Sequence, residues 1–217
     1  MSSYYTDILY PLQDNILKIV DALETPFYLT GGTALSRCYL HHRYSDDLDF
    51  FVNNEPNFLP LVERIIASFK QQHAVEIIMK SDAYVSLRVQ KILKIDFVND
   101  VAFRYGKVEK TMLFSRVDNL ENILSNKLSA LISRDEPKDV VDIVSISKKI
   151  DVHWKKIFLD VNSKAVGISP IDVARRLSEF PLDMLDAIKW VDGMEPKTDA
   201  FNADIGAVCD SMLRVTT

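Results

Sequence analysis

Cysteine is scarce in this sequence, with only Cys38 and Cys209 among 217 residues. Two such distant cysteines do not make the disulfide framework of a small secreted protein, so we expect a reduced environment. The sequence also lacks an apolar run of membrane-spanning length, and its start, MSSYYTDILY, lacks the basic and apolar segments of a signal peptide. These absences predict a cytoplasmic protein that does not contact membranes.

The sequence also has no excess of positive charge. The 26 lysines and arginines are outnumbered by 31 acidic residues, which gives a net charge of −5. No global basic field is therefore available to hold a long polyanion, and any contact with nucleic acid must come from a local patch. The hydrophobic content of 47% favours a folded chain, and the length allows one large domain or two small ones.

Glycine is rare as well, but two of the six glycines are adjacent, at Gly31 and Gly32. They follow an apolar segment, Phe27–Thr30, that predicts a short strand, and they allow the backbone to turn tightly and approach a ligand. Thr33 is then predicted to be the N-cap of a helix over Ala34–Leu40. Backbone N–H groups at such a turn carry partial positive charge, so the motif suits a triphosphate.

Two carboxylates follow this turn, Asp47 and Asp49. The segment Asp47–Phe51 predicts a strand, and its period of two places both carboxylates on one face, with Leu48 and Phe50 on the other. Like charges at this distance repel each other unless a cation lies between them, and carboxylate oxygens suit Mg²⁺.

In the rest of the sequence, a region with both helix and strand patterns is followed by a region with helical patterns alone. Apolar spacing predicts helices over Tyr5–Glu24, which Pro11 would shorten or bend, and over Phe58–Phe69. From Asp118 onward the pattern is helical. We therefore predict two domains, residues 1–115 and 116–217. Three strands are predicted between the second helix and the boundary: Val75–Met79, Val85–Val89 and Ile92–Val98.

A third carboxylate, Asp96, lies in the middle of the last of these strands. It alternates with Ile95 and Phe97, so it faces away from the apolar side of the sheet. Aspartate is unfavourable within a strand and is seldom placed there without a partner. It could complete a catalytic set of carboxylates, or it could be an aspartate on a solvated sheet face that pairs with Arg88 or Lys94.

The helical region contains a lysine where an apolar residue is expected. Lys127 shares a helical face with Leu120, Ile123, Leu124 and Leu131, where an unpaired ammonium would be unfavourable. It should therefore reach an opposite charge. Asp139 and Asp142, on one face of the next predicted helix, are candidates, and a salt-bridge network between the two helices is one interpretation.

These motifs together resemble the nucleotidyltransferases of the polymerase-β-like superfamily, and more closely the AbiEii/AbiGii-type nucleotidyltransferase toxins. The first signature of that group is similar to GGTAL, then an arginine, then S-D-x-D-F. The second contains a lysine, an alanine, an arginine, a basic residue followed by aspartate, and a further aspartate. The matching residues are Gly31-Gly32-Thr33-Ala34-Leu35, Arg37 and Ser45–Phe50, and then Lys127, Ala130, Arg134, Lys138-Asp139 and Asp142.

The resemblance implies an α/β (α+β) fold: a nucleotidyltransferase core with a small mixed sheet flanked by helices, followed by a helical C-terminal domain that closes the nucleotide cleft. It also implies transfer of a nucleotidyl group from an NTP with release of pyrophosphate. The metal, Mg²⁺ or Mn²⁺, would be bound by Asp47, Asp49 and Asp96, and Asp96 would accept the proton of the acceptor. The implied nucleotide-binding residues are Gly31, Gly32, Thr33, Arg37, Lys127, Arg134, Lys138, Asp139 and Asp142.

The physiological role implied by the resemblance is that of a type IV toxin that modifies tRNA or another RNA and has a cognate antitoxin. Two alternatives remain open at this stage. One is a nucleotidyltransferase that modifies a small molecule or a protein hydroxyl, which the acidic composition favours. The other is a non-catalytic nucleotide-binding regulator. No part of the resemblance covers the helices after Ile150, where acceptor choice would reside.

Overall fold

A computed structural model describes residues 2–100, 103–134 and 136–214 of the protein. These residues form two compact units. The first contains all described residues up to 100 together with 107–118, and the second contains 103–106 and everything from Asn119 onward.

The first unit is built on a five-stranded mixed sheet with the strand order β1-β2-β5-β4-β3. Only β2 and β5 run parallel, and the other neighbours are antiparallel. Between β4 and β5, Gln90 and Lys91 both have positive φ, so a tight turn forms although the sequence offers neither glycine nor asparagine there. The strands are β1 (Tyr28–Thr30), β2 (Leu48–Asn53), β3 (Val75–Lys80), β4 (Tyr84–Val89) and β5 (Leu93–Asp100).

Helices of the first unit precede and follow the first two strands. They are α1 (Ser2–Tyr4), α2 (Tyr10–Ala22), α3 (Gly31–Thr33) and α4 (Phe58–Lys70), with π-helical segments at Tyr5–Leu9 and Ala34–Leu40. The π-helical segment Tyr5–Leu9 ends two residues before Pro11, which lies in the first turn of α2. Because proline has no N–H to donate, this is where an otherwise continuous helix changes its hydrogen bonding.

One face of the sheet is apolar and the other is polar. In β2 the buried residues alternate with half-buried ones, and β5 repeats the pattern. Aromatic rings join the elements on the apolar side: Phe97 stacks on Phe50 at 5.3 Å and contacts Phe27 edge-on at 5.1 Å. The alternation therefore places Asp49 and Asp96 on the opposite face, away from this core.

The named elements of the second unit, within its described residues, are all helices. It contains α5 (Leu120–Ser133), α6 (Pro137–Lys149), α7 (Trp154–Lys164), α8 (Pro170–Ser178) and α9 (Thr198–Leu213), with a 3₁₀ helix at Leu182–Ala187. Proline opens α6 and α8, where its missing N–H costs no helical hydrogen bond. The predicted change from a mixed sheet to helices is confirmed. None of the helices in the described parts of the chain is both long and apolar enough to cross a membrane.

Candidate active site

The Gly-Gly turn packs directly against the second strand. Gly31 has a φ of +70°, and a Cβ added there would overlap Oδ2 of Asp49. A Cβ on Gly32 would lie 2.9 Å from both Nη2 of Arg43 and Oγ of Ser45. A Cβ at either glycine would therefore displace these side chains, and at Gly31 it would also be disfavoured by the left-handed backbone.

Thr33 is not the N-cap that the sequence predicts. The helix begins two residues earlier, at Gly31, with Thr30 in the N-cap position. Thr33 has helical backbone angles, and its hydroxyl donates to the carbonyl oxygen of Asp47. The flexible glycines let the helix start before the threonine, and Thr33 then links this turn to the residue preceding β2.

Four strands place their polar residues in one row across the sheet. Asp49 pairs with Thr30 on β1 and with Asp96 on β5, and Asp96 pairs with Ser86 on β4. The parallel register thus brings two carboxylates to neighbouring positions on one face, as the sequence predicts for Asp49 and leaves open for Asp96. Two like charges at this spacing favour a cation.

Asp96 already has two partners in this arrangement. Ser86 Oγ donates to its Oδ1 at 2.6 Å, and the Nζ atom of Lys94 lies 2.6 Å from its Oδ2. Burial alone would lower the pKa of Lys94, but the hydrogen bond and the charge of Asp96, with the charges of Tyr84 and Asp47, raise it above its usual value. The alternative in which Asp96 pairs with Lys94 is therefore confirmed, and the catalytic role of Asp96 stays a prediction.

The fit of the three aspartates to a divalent cation depends on their donor atoms. Carboxylate oxygens are ligands that Mg²⁺ prefers, and Asp49 and Asp96 are neighbours on one face. Within residues 2–100, 103–134 and 136–214, however, no group of three or more His, Cys, Asp or Glu side chains could hold a metal as arranged. The donor chemistry therefore fits, while Asp96 is held by Lys94.

Arg37 faces the first long helix. Its guanidinium lies 2.7 Å from Oδ1 of Asp14, donates to Oε1 of Gln13 at 3.1 Å and lies 4.2 Å from the ring centre of Tyr10. Its expected role at the nucleotide stays a prediction. In this structure it contributes to holding α2 against the π-helical segment Ala34–Leu40.

Two buried polar residues near the site were not singled out by the sequence analysis. Gln13 donates to the carbonyl oxygens of Ser45 and Asp46 and so fixes the loop before β2. Its position three residues before Ile16 on the apolar face of α2 was an available signal. Asp118 accepts a hydrogen bond of 2.7 Å from Thr30 next to the Gly-Gly turn, and nothing local in the sequence marks it.

His41 and His42, which follow the π-helical segment Ala34–Leu40, lie in different environments. His41 has a positive φ and is exposed, as expected for a loop residue. His42 is 6% exposed and therefore buried. A left-handed residue at the end of the helix turns the chain inward, which accounts for the difference.

In the second unit, Lys127 forms an ion-pair network with the next helix. Its Nζ atom lies 2.7 Å from Oδ1 of Asp139 and 2.7 Å from Oδ2 of Asp142. Both carboxylates have no solvent exposure, and Lys127 is 6% exposed. Arg134 also contacts Asp139, with Nε 2.8 Å from Oδ2, and it is half exposed. The interhelical network is therefore confirmed.

The ion pairs favour the charged form of Asp139 in this network. Burial alone would raise the pKa of Asp139, but the charge of Lys127 and hydrogen bonds from Arg134 and Lys127 lower it below its usual value. A depressed carboxylate pKa contributes stability at neutral pH that is lost as the pH falls through the folded-state pKa. Lys138 lies outside the network, with Nζ 3.8 Å from Glu136, and its expected role at the nucleotide stays a prediction.

Replacing Gly31 by alanine is expected to destabilise the protein by about 2 kcal/mol, because the left-handed backbone is unfavourable with a Cβ and that atom would meet Asp49. Gly206 offers a matched control within α9, since a Cβ there meets nothing within 4 Å. Gly206→Ala should raise stability by about 0.5–1 kcal/mol through helix propensity. Chemical denaturation measures both, and a Gly31→Ala protein as stable as the wild type would contradict the close approach.

Solved structures that share this fold include the following three. MenT4, the nucleotidyltransferase toxin Rv2826c from Mycobacterium tuberculosis H37Rv, gives a TM-score of 0.66 at 14% identity, over 97% of this chain and 85% of that one. JHP933 from Helicobacter pylori gives 0.57 at 18% identity, over 95% and 94%. The antibiotic-resistance factor ANT(2″)-Ia gives 0.52 at 13% identity, over 70% and 91%. At such identities the likeness shows the fold alone.

The first unit combines a mixed sheet with a Gly-Gly turn that packs against the strand carrying Asp49. This is the fold of a nucleotidyltransferase. The sequence also matches the family described as Nucleotidyl transferase AbiEii toxin, Type IV TA system, over residues 16–191. The chain belongs to this AbiEii nucleotidyltransferase toxin family, so the predicted fold, enzyme class and family are confirmed. No curated protein matches the sequence significantly.

Proposed function

We propose that this nucleotidyltransferase uses a divalent cation, Mg²⁺ or Mn²⁺, to transfer a nucleotidyl group from an NTP to an RNA acceptor, with tRNA as the leading candidate. The observation that carries the proposal is the strand register, which sets Asp49 beside Asp96 and against the Gly-Gly turn. A polyphosphate held at that turn would have its reacting phosphorus close to both carboxylates.

In the proposed reaction, a hydroxyl oxygen of the acceptor attacks the α-phosphorus of the NTP. The bond from that phosphorus to the bridging oxygen breaks, and pyrophosphate leaves. Asp96 accepts the hydroxyl proton, and the backbone of Gly32 and Thr33 holds phosphate oxygens. A bound cation would supply charge neutralisation at these oxygens, with Asp47, Asp49 and Asp96 as its protein ligands.

The remaining site residues are assigned in the same proposal. Lys127 would contact the triphosphate, and Arg37, Arg134 and Lys138 would add positive charge near the nucleotide. Asp139 and Asp142 would support Lys127, which is consistent with their ion pairs of 2.7 Å. A network that orients a functional lysine can serve both fold stability and binding.

The biological role proposed here is that of a toxin in a type IV toxin–antitoxin pair, acting in the cytoplasm. Support comes from the family description, which carries both the toxin and the type IV assignment. The fold of the MenT4 toxin agrees with it. The cysteines of this chain are free thiols, as a reducing compartment requires. A separate antitoxin protein would then be the physiological partner.

A second acceptor class is favoured by one observation, the net charge of −5. Without a general basic field, a long RNA must be bound through local contacts, whereas a small molecule or a protein hydroxyl needs none. The same carboxylates and the same turn would serve either reaction, so the acceptor decides between these functions.

The test is to incubate the purified protein with Mg²⁺ or Mn²⁺ and each α-labelled NTP in turn, with total tRNA, with a protein extract and with no acceptor. We expect label on tRNA from one preferred NTP and release of pyrophosphate. Label on protein or on a small molecule, identified by mass spectrometry, would replace RNA as the acceptor. If no acceptor is labelled and no pyrophosphate is released with any NTP, the proposed reaction is wrong.

A further inference from the structure

Lys94 contacts Asp96, one of the two neighbouring carboxylates of the row, from the adjacent position on the same face of β5. Lys94 and Asp96 are two residues apart on β5, so both lie on the polar face, and Nζ is 2.6 Å from Oδ2. Asp49 is the neighbour of Asp96 in the parallel register. The ammonium thus balances one of two adjacent carboxylates.

This contact competes with metal ligation by the same carboxylate. Mg²⁺ requires its ligand oxygens at about 2.0–2.1 Å, and a divalent ion and an ammonium that share one carboxylate would repel each other. Lys94 would therefore be driven to leave Asp96 when a divalent ion binds that carboxylate. The side chain has the freedom to do so, because it is 38% exposed while that of Asp96 is 14% exposed.

We propose that Lys94 is a positioning residue that holds Asp96 in the resting protein and is displaced when a divalent cation binds. The released ammonium, on its flexible stem, would then lie toward the anionic nucleotide. The inference depends on the proposed function, since it assumes that the aspartates form the metal site.

The strand register supplies a matched control. Arg88 on β4 pairs with Lys94, so it carries the same charge on the same face. It is exposed. If positive charge near the site merely weakened metal binding through space, removing either side chain would have a similar effect. If the direct ion pair with Asp96 matters, only Lys94 should show a large effect.

The experiment measures Mn²⁺ binding to the nucleotide-free protein by calorimetry or electron paramagnetic resonance. Lys94→Met should bind Mn²⁺ at least fivefold more tightly than the wild type, and Arg88→Met less than twofold more tightly. Lys94→Arg, which retains the ion pair, should resemble the wild type. Thermal melting checks that each variant is folded, and Lys94→Gln is a second neutral variant should the methionine variant fail to fold.

The outcomes separate this inference from the proposed function. Unchanged or weaker Mn²⁺ binding in Lys94→Met and Lys94→Gln would overturn the role of Lys94, and so would equal effects of Lys94→Met and Arg88→Met. Asp49→Asn tests the site itself and should abolish binding. If Mn²⁺ binding does not respond to Asp49→Asn, the proposed metal site is wrong and the inference fails with it.

Discussion

Replacing Lys127 by methionine is expected to destabilise the second unit by about 3 kcal/mol or more. The substitution keeps much of the length and apolar stem of the side chain but leaves Asp139 and Asp142, both without solvent exposure, short of their shared cation. Removing one partner of a buried ion pair costs about 3–5 kcal/mol, because the remaining charge stays buried. Thermal and denaturant unfolding of the purified variant measure this loss.

Two control variants test whether the loss of stability comes from buried charge. Arg134→Met removes a half-exposed partner of Asp139 and should cost about 1 kcal/mol or less. Combining Lys127→Met with Asp139→Asn and Asp142→Asn should recover at least half of the lost stability, since no buried charge remains. The loss of stability in Lys127→Met should also become smaller toward pH 5, because carboxylates that have lost Lys127 can take up protons more readily than Asp139 of the wild type.

The same variant tests whether Lys127 also contacts the nucleotide. If it does, NTP affinity per folded molecule should fall at least tenfold, about 1.4 kcal/mol. A strongly destabilised variant with normal NTP affinity would remove Lys127 from the proposed site and leave it a structural residue. A variant with wild-type stability would contradict the buried network.

Local patterns in the sequence predicted much of this fold. The alternation around Asp49 and Asp96 gave both strands and the polar face, since period two depends only on neighbouring residues. The apolar stripe around Lys127 required a charged partner, and Asp139 and Asp142 supply it. These features were predictable because each depends on residues within one or two adjacent elements.

Other parts of the site depend on contacts between distant residues, which periodicity cannot show. Gln13 bonds to Ser45, and Asp118 bonds to Thr30, 88 positions earlier in the chain. The early start of the helix at Gly31 was missed for a different reason. Capping preferences favour threonine, but two glycines allow a backbone path that brings Thr33 to the Asp47 carbonyl instead. Such choices are decided by tertiary packing.

The second large effect is expected at Asp49, where asparagine should abolish detectable nucleotidyl transfer while the protein stays folded. Asn is nearly isosteric, so the row through Thr30 and Asp96 is kept, but the neutral amide is a poor ligand for a divalent cation and Mn²⁺ binding should be lost. Stability without metal should stay within about 1 kcal/mol of the wild type, because the near-isosteric amide keeps the packing of the row.

Asp46→Asn is the matched control for Asp49→Asn, since it changes the same residue type three positions away. The Asp46 side chain accepts a hydrogen bond of 2.6 Å from the hydroxyl of Tyr5, so we assign it to packing of the N-terminal helix. Asparagine keeps an acceptor oxygen for Tyr5 but loses the charge, so this change should cost about 1 kcal/mol of stability or less and leave transfer within about threefold of the wild type. Transfer assays with the preferred NTP, together with melting curves with and without Mn²⁺, measure both variants. Wild-type transfer by Asp49→Asn would exclude Asp49 from the catalytic site, and equal losses in the two variants would show that the loop before β2, rather than the carboxylate row, sets the activity.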